Sequence, residues 1–425
     1  MATDSRTVPR TGTDAARRLR NWRIALASVF FLNGIAVATW VTRTPAIRDA
    51  LSASTAEMGL VLVGTSIGSF VGISIAGVVV ERRGARFVVL VGIGAVAIGL
   101  GVVALGAAIA QPVVVSGGLA LLGYGFGSSE IGTNVSGVEL ERAMARSVIP
   151  GLHGLYSVGT VIGALLGLVA NHLDLPVVLH LAVAAVVIAA VTALIGRHLP
   201  APAAATAPST ETSAQNDDPA PDTAPEDSRR LAWVDRRLVA LGFIILGMAL
   251  AEGSATDWLP LIVVDGYGST AAVGSVVYAF FGAAMAVGRL NGGRAIDRFG
   301  RTAVMRVSAL IGAVGIATVV VAPTLWVGAI GVLLWGIGAS LGFPVALSAA
   351  GDHPRYAARR ASAVATAGYA AFLIGPPILG FLGQHVGLRE AMLVVMVVVA
   401  ATALFAGAVR GRPAPAAPAV PNGPA

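Results

Sequence analysis

Of 425 residues, 56% are hydrophobic and only 12% are charged, against about 45–50% and about 25% in ordinary soluble domains. That little charge cannot cover a water-facing surface of this size, so the apolar excess is expected to face lipid. The basic residues are 29 Arg with no Lys, for a net charge of +7, and there is no Cys. Disulfide frameworks, thiolate metal sites, iron–sulfur clusters and Cys nucleophiles are thereby set aside. The six His show no paired metal-ligand spacing, so neither metal nor cofactor is expected.

Apolar windows of about 20 residues recur between short charged or Pro/Gly breaks and predict twelve transmembrane helices. A charged arm over residues 1–23 precedes the first six, near 24–41, 58–80, 87–110, 113–136, 150–170 and 177–195. The first is too long for a signal-peptide core and has no A-x-A site after it, so it is expected to be retained. Residues 197–235 then turn to Pro mixed with Ala, Thr, Asp and Glu, as a disordered cytoplasmic linker does. Six more spans follow near 238–258, 271–291, 303–322, 325–349, 361–382 and 390–409, and the Pro-rich tail 410–425 again reads as disordered. The expected domains are the arm, an N-terminal half over 24–196, the linker, a C-terminal half over 236–409 and the tail.

With the N-terminus in the cytoplasm, 26 of the 29 Arg fall on the inner side, Arg289 included, and Arg43, Arg48 and Arg389 remain outside. The basic balance is therefore a topological signal with some attraction to anionic membrane lipid, not a nucleic-acid footprint. Both termini are expected in the cytoplasm of a bacterial inner membrane, and the protein is expected to act as a monomer.

The two halves repeat at a shift of about 215 residues. Ser54-Thr55-Ala56-Glu57-Met58-Gly59 parallels Ser269-Thr270-Ala271-Ala272-Val273-Gly274, and Gly77-x-x-x-Glu81-Arg82-Arg83-Gly84 parallels Gly293-x-x-x-Asp297-Arg298-Phe299-Gly300. Parallel six-helix repeats are a transporter architecture, with the site near mid-membrane where the halves meet.

These acid-Arg-x-Gly loops resemble the signature loop of the major facilitator superfamily, and the 6 + 6 plan over residues 23–409 is similar to it. Glu130-x-x-x-Asn134-x-x-Gly137-x-x-x-Glu141-Arg142, His153-Gly154, Glu252-Gly253-x-x-x-Asp257-Trp258 and Gly375-Pro376-Pro377 resemble a bacterial branch of permeases neighbouring the fucose:proton symporters. The resemblance implies an all-α membrane protein that moves a small solute by alternating access, together with protons. Fucose permeases carry an acid in the first span, where this chain has the neutral Asn33. Drug:proton antiporters carry a Gly-Pro motif in span 5, and here that pair sits in span 11, which tilts the expectation toward import.

Among individual residues, Glu130 lies inside span 4, where a charge costs about 2.5–3.5 kcal/mol on insertion scales. Gly127, Glu130, Asn134 and Gly137 share one helical face, which is expected to line the cavity with Glu130 as proton or solute site. Glu252 in span 7 is a second candidate, closer to the outer end, and Asp257 with Trp258 reads as an outer-interface pair before Pro260 stops the helix. Asn33 and Trp40, on one face of span 1, are candidate solute contacts. Tyr124, Tyr156, Trp335 and Tyr369 are aromatic candidates for stacking on a sugar, against a plain packing role.

Arg289 is either a solute ligand or a snorkelling cation paired at the inner gate. Glu81, Arg82 and Arg86, with Asp297, Arg298 and Arg301, suit an ion-pair latch that closes the inner side of the outward-open state. Gly84 and Gly300 suit the positive φ of tight turns. Ser54-x-x-Glu57 is a capping box, so Glu57 is assigned to the helix start. His153 has no evident nucleophile or acid partner, which counts against an intramembrane enzyme. The linker and tail lack core-forming periodicity, which counts against a receptor or scaffold. A proton-coupled efflux antiporter remains the alternative.

Overall fold

Long aliphatic runs punctuated by Gly, Pro and charged loops fold into helices throughout the computed structural model, which describes residues 11–145, 148–200, 235–353 and 356–411. Among these, the N-terminal half comprises α1 (Thr11–Val41), α2 (Thr44–Leu51), α3 (Thr55–Arg83), α4 (Ala85–Ala108), α5 (Pro112–Met144), α6 (Ile149–His172) and α7 (Val177–Gly196). The C-terminal half comprises α8 (Arg236–Leu261), α9 (Ala271–Phe299), α10 (Arg301–Val321), α11 (Leu325–Ala339), α12 (Gly342–Gly351), α13 (Ala357–Val386) and α14 (Leu388–Phe405). Most of the 197–235 linker and all but the start of the 410–425 tail lie outside the described residues.

Among the described residues, eleven helical segments are long and apolar enough to cross a bilayer. The fourth expected span, α5, is not among them, although its 33 residues reach about 50 Å. Gly and Ser dilute its apolar content, and the structure shows why they are there. Gly64, Gly68 and Gly72 of α3 press against the α5 backbone at Ser116, Ala120 and Tyr124, and Gly123 of α5 returns the contact at Thr65. On its other side, Gly118 and Gly125 of α5 meet α4 near Gly99 and Gly92. The helix is wedged between two neighbours at backbone distance, as small-residue stripes allow in lipid.

Four boundaries differ from the sequence expectation. The first helix begins at Thr11, so half of the charged arm continues α1, and Trp22 there donates to the Ser136 hydroxyl at 3.0 Å. The loop after it holds the short helix α2. The seventh span does not stop at Pro260, which lies inside α8; the chain runs on through a π-helical turn, Ile262–Gly266. A widened turn accommodates the hydrogen bond that a helical Pro removes. The tenth span is split into α11 and α12, because Pro344 cannot donate to the Ser340 carbonyl and its ring crowds that turn.

The turn readings hold. Ser54 Oγ accepts from the Glu57 N–H while the Glu57 carboxylate accepts from the Ser54 N–H at 2.8 Å, a complete capping box. Gly84 and Gly300 adopt φ of 81° and 80°. Apolar side chains such as Ile67, Val91, Ile98, Val186, Leu310 and Val397 are exposed around the bundle, where lipid covers them.

The helices define two ends: a linker end, where α7 finishes and α8 begins, and the opposite, far end. All three Arg of the far end are pinned. Arg43 donates to Asn171 and the Leu175 carbonyl, Arg48 pairs with Asp265, and Arg389 donates to the Val320 and Ala322 carbonyls at 2.7 Å while lying over the Tyr267 ring. At the linker end, Asp235 caps α8 through the Leu238 N–H and binds both terminal nitrogens of the buried Arg360 at 2.9 and 2.8 Å.

A Cβ on Gly68 would lie 1.9 Å from the Ala120 carbonyl oxygen, whereas one on Gly94 would meet nothing within 4 Å. Gly68→Ala is therefore expected to lower stability by about 1–3 kcal/mol. Gly94→Ala is expected to leave the melting temperature of the detergent-purified protein unchanged, and thermal denaturation of the pair checks the seam.

Candidate substrate cavity

Glu130 stands near the middle of α5, in the heart of the bundle yet open to solvent through the space between the halves. Among the described residues its carboxylate has neither an ion pair nor a hydrogen bond. Facing it from the C-terminal half is an ion pair that the sequence did not reveal: Arg289 of α9 donates to Glu252 of α8 at 2.8 Å. The two residues are 37 apart in the chain and reach one another only because α8 and α9 pack side by side.

Glu252 is thus not an isolated group near the outer end, and Arg289 does not snorkel to an inner-gate acid; each neutralises the other at mid-depth. Both remain about one-third exposed, at 33% for Arg289 and 27% for Glu252. The pair is therefore available to a solute. Its charges, and that of Glu130, act on each other and on the hydroxyl of Tyr156, and Tyr369 of α13 lies within the field of Glu130. Residues from α5, α6, α8, α9 and α13 converge on one space.

Asn134, one turn below Glu130, lies 3.3 Å from His153 Nε2, and His153 packs edge-on against Phe30. Three other candidates do not reach the cavity. Asn33 is buried and donates to Ser129 Oγ at 3.1 Å, tying α1 to the residue beside Glu130. Trp40 is buried within the N-terminal half. Trp335 is fully buried, stacks edge-on with Phe281, and donates its indole N–H to the Ala251 carbonyl at 3.1 Å, so it braces the backbone next to Glu252.

Trp258 is likewise fully buried rather than placed in an interfacial belt, with its ring against Gly380. Asp257 faces α13, not the membrane surface.

Among the described residues, all polar bonds joining the halves lie toward the far end. Arg48 pairs with Asp265, the Thr55 N–H donates to Gln384 at 3.0 Å, and Asn171 donates to the Ala271 carbonyl at 3.3 Å and to Ser275 Oγ at 3.0 Å. Deeper, Ser66 donates to the Phe372 carbonyl at 2.7 Å. That carbonyl is free because Pro376, four residues on, has no N–H to give it. None of the six latch candidates is bonded across the halves: Arg301 pairs with Asp352 of its own half at 2.7 Å, Arg298 lies over Phe299, and Glu81, Arg82, Arg86 and Asp297 make no ion pair. Among the described residues, the polar ties between the halves gather toward the far end.

A helical bundle of two repeated halves, clad in apolar side chains and holding charged groups in a central space, is an integral membrane protein built around a polar solute path. The chain belongs to the Major Facilitator Superfamily, whose family model matches residues 24–373 and 275–425. It is 29% identical over 388 residues to an uncharacterized MFS-type transporter of Yersinia pestis, covering 91% of this chain and 95% of that one. Among solved structures it is similar to a variant of the nucleoside transporter NupG, with TM-score 0.72 and 14% identity, covering 91% of this chain and 99% of that one. It is also similar to a variant of the E. coli fucose:proton symporter FucP, with TM-score 0.61 and 20% identity over 92% of this chain and 98% of that one. The protein is a multi-pass membrane transporter rather than an enzyme.

Removing one member of the Glu252–Arg289 pair strands the other charge, whereas removing both does not. The double variant Glu252→Gln/Arg289→Gln is expected to lose less stability than the sum of the two single losses. The coupling is about 0.5–3 kcal/mol, read from a double-mutant cycle of unfolding in detergent.

Proposed function

We propose that the protein is a secondary active transporter that carries a small polar, sugar-like solute across the bacterial cytoplasmic membrane by alternating access, in symport with protons. One observation carries this reading: an unpaired carboxylate, Glu130 of the N-terminal half, faces the partly exposed Glu252–Arg289 pair of the C-terminal half across a solvent-reached space at mid-depth. An unpartnered acid at that depth is costly to keep ionised and is suited to taking up and releasing a proton. Glu252, Arg289, Tyr156, Tyr369, Asn134 and His153 offer the mixed donors and acceptors that a polyhydroxylated solute needs. The names of the two solved neighbours, a nucleoside transporter and a fucose:proton symporter, point to the same solute class.

Arg asymmetry assigns the linker end, the arm and the tail to the cytoplasm, so this conformation is closed outside and open inside. Glu81, Arg82, Arg86, Asp297, Arg298 and Arg301 then serve as the latch of the opposite state, in which Arg301 exchanges Asp352 for a partner across the halves.

Reconstituted Glu130→Gln is expected to lose uphill uptake under a pH gradient while retaining solute exchange, because the amide keeps shape and one polar end but does not titrate. A stable Glu130→Gln protein that still concentrates solute sinks the proton-carrier role. Topology is checked separately in this Cys-free chain. Cys at Ser269 is expected to label only from outside, and Cys at Ser213, which lies outside the described residues, only from inside.

A further inference from the structure

Asp257 is a second intramembrane acid without a hydrogen-bond or ion-pair partner among the described residues, and neither the cavity nor the latch uses it. It lies on α8, five residues beyond Glu252, in a slit too narrow to hold a water molecule, against α13, lined by Gly253, Ser254, Phe372, Gly375 and Pro376. Two glycines let the helices come this close: a Cβ on Gly253 would strike the Phe372 ring at 2.8 Å, and one on Gly375 would strike Leu250 at 2.9 Å. Ser254 offers Asp257 no donor, since its hydroxyl hydrogen goes to the Leu250 carbonyl at 2.6 Å. No charged side chain of α3, α9 or α13 faces it; the titratable neighbour within its field is the buried hydroxyl of Tyr278 on α9. Packing alone calls for no acid there, and an ionised carboxylate with neither cation nor protein donor is costly in this half-buried slit.

The wall opposite Asp257 is the part of α13 that ties the halves together. Phe372 gives its carbonyl to Ser66 of α3 at 2.7 Å. One turn on, Pro376 and Gly380 touch Gly59 of α3 at backbone distance. Whatever parts α8 from α13 also shifts the helix that closes the far end.

We propose that Asp257 is a proton-binding site separate from Glu130, whose proton gates the far end and is not carried across. With the proton on its carboxyl oxygen, Asp257 is neutral and the slit stays shut, as here. When the O–H bond breaks, the proton passes to water at the far end, the remaining carboxylate draws water into the slit, and α13 moves off α3. Acid favours the closed far end, and rising pH favours the open one. The narrowness of the slit and its single carboxylate suit a proton and leave no room for a coordinated metal ion.

The proposal rests on the alternating-access reading above, and far-end distances test the two apart. Spin labels on Cys at Leu173 and Ala272 of the reconstituted full-length protein, one on each half, read the closed-to-open ratio across a pH series. The ratio in the wild-type background is expected to fall by up to about tenfold per pH unit through the transition, to stay closed and flat in Asp257→Asn, and to keep its pH response in Glu130→Gln. An Asp257→Asn ratio that follows pH as the wild type does overturns the proposal, as does a response lost in Glu130→Gln and kept in Asp257→Asn. Should the Asn variant not fold, Asp257→Glu is expected to move the midpoint of the transition, and an unmoved midpoint overturns the proposal equally. If the wild-type far end responds to solute but not to pH, the gate falls and the transport reading stands; a far end that never moves removes both.

Discussion

The Glu252–Arg289 ion pair is the interaction around which the rest of the molecule is arranged. Two full charges at mid-depth of an apolar bundle are tolerated because each is the other's counter-ion at 2.8 Å, and because α8 and α9 hold them in register. Trp335, wholly buried, fixes the α8 backbone at Ala251, one residue before the acid. Its neighbour Phe281 belongs to α9, the helix that carries Arg289. The pair therefore sits on a braced frame, and Glu130 opposite it has no ion-pair partner among the described residues. Within the cavity the C-terminal half presents a matched pair and the N-terminal half an acid without a counter-ion, so a proton or a solute that enters meets one unmatched carboxyl there.

The frame itself obeys a second constraint. Lipid supplies no hydrophobic drive between helices, so association depends on close backbone packing and on bonds to groups that would otherwise be stranded. The glycine seams of α3, α4 and α5 supply the first. The second is visible wherever a helix is interrupted: Pro376 frees the Phe372 carbonyl and Ser66 of the other half takes it, and Arg389 gathers the carbonyls at the far end of α10. The Ser66–Phe372 bond joins the halves and is expected to hold in one conformation only. Bonds such as Asp235–Arg360 and Arg301–Asp352 lie within a half and are expected to travel with it.

Arginine distribution and structure explain one another. Most of the described Arg lie toward the linker end, the asymmetry expected of residues that orient a chain in a bilayer. The three that break the pattern are each committed to a structural bond at the far end, Arg43 to Asn171, Arg48 to Asp265 and Arg389 to backbone carbonyls. Arg48 and, through Asn171, Arg43 take part in the ties between the halves, so the exceptions to the charge rule mark the far-end closure.

Composition and period alone established a membrane protein of repeated helical halves, because a lipid solvent demands apolar runs of fixed length and tolerates few charges. Local chemistry was equally legible: the Ser54–Glu57 capping box and the positive φ of Gly84 and Gly300 depend on residues within a few positions of one another. The depth of Glu130 followed from its place in an apolar run. Contacts between distant segments could not be read this way. Glu252 meets Arg289, Arg43 meets Asn171, and Asp257 comes to lie beside Pro376 only through helix packing, and hydropathy carries no information about which face meets which neighbour. For the same reason Asn33, Trp40 and Trp335, polar or aromatic and on plausible faces, proved to be packing and bracing groups. A helical face is a property of the sequence; what stands opposite it is a property of the assembled bundle.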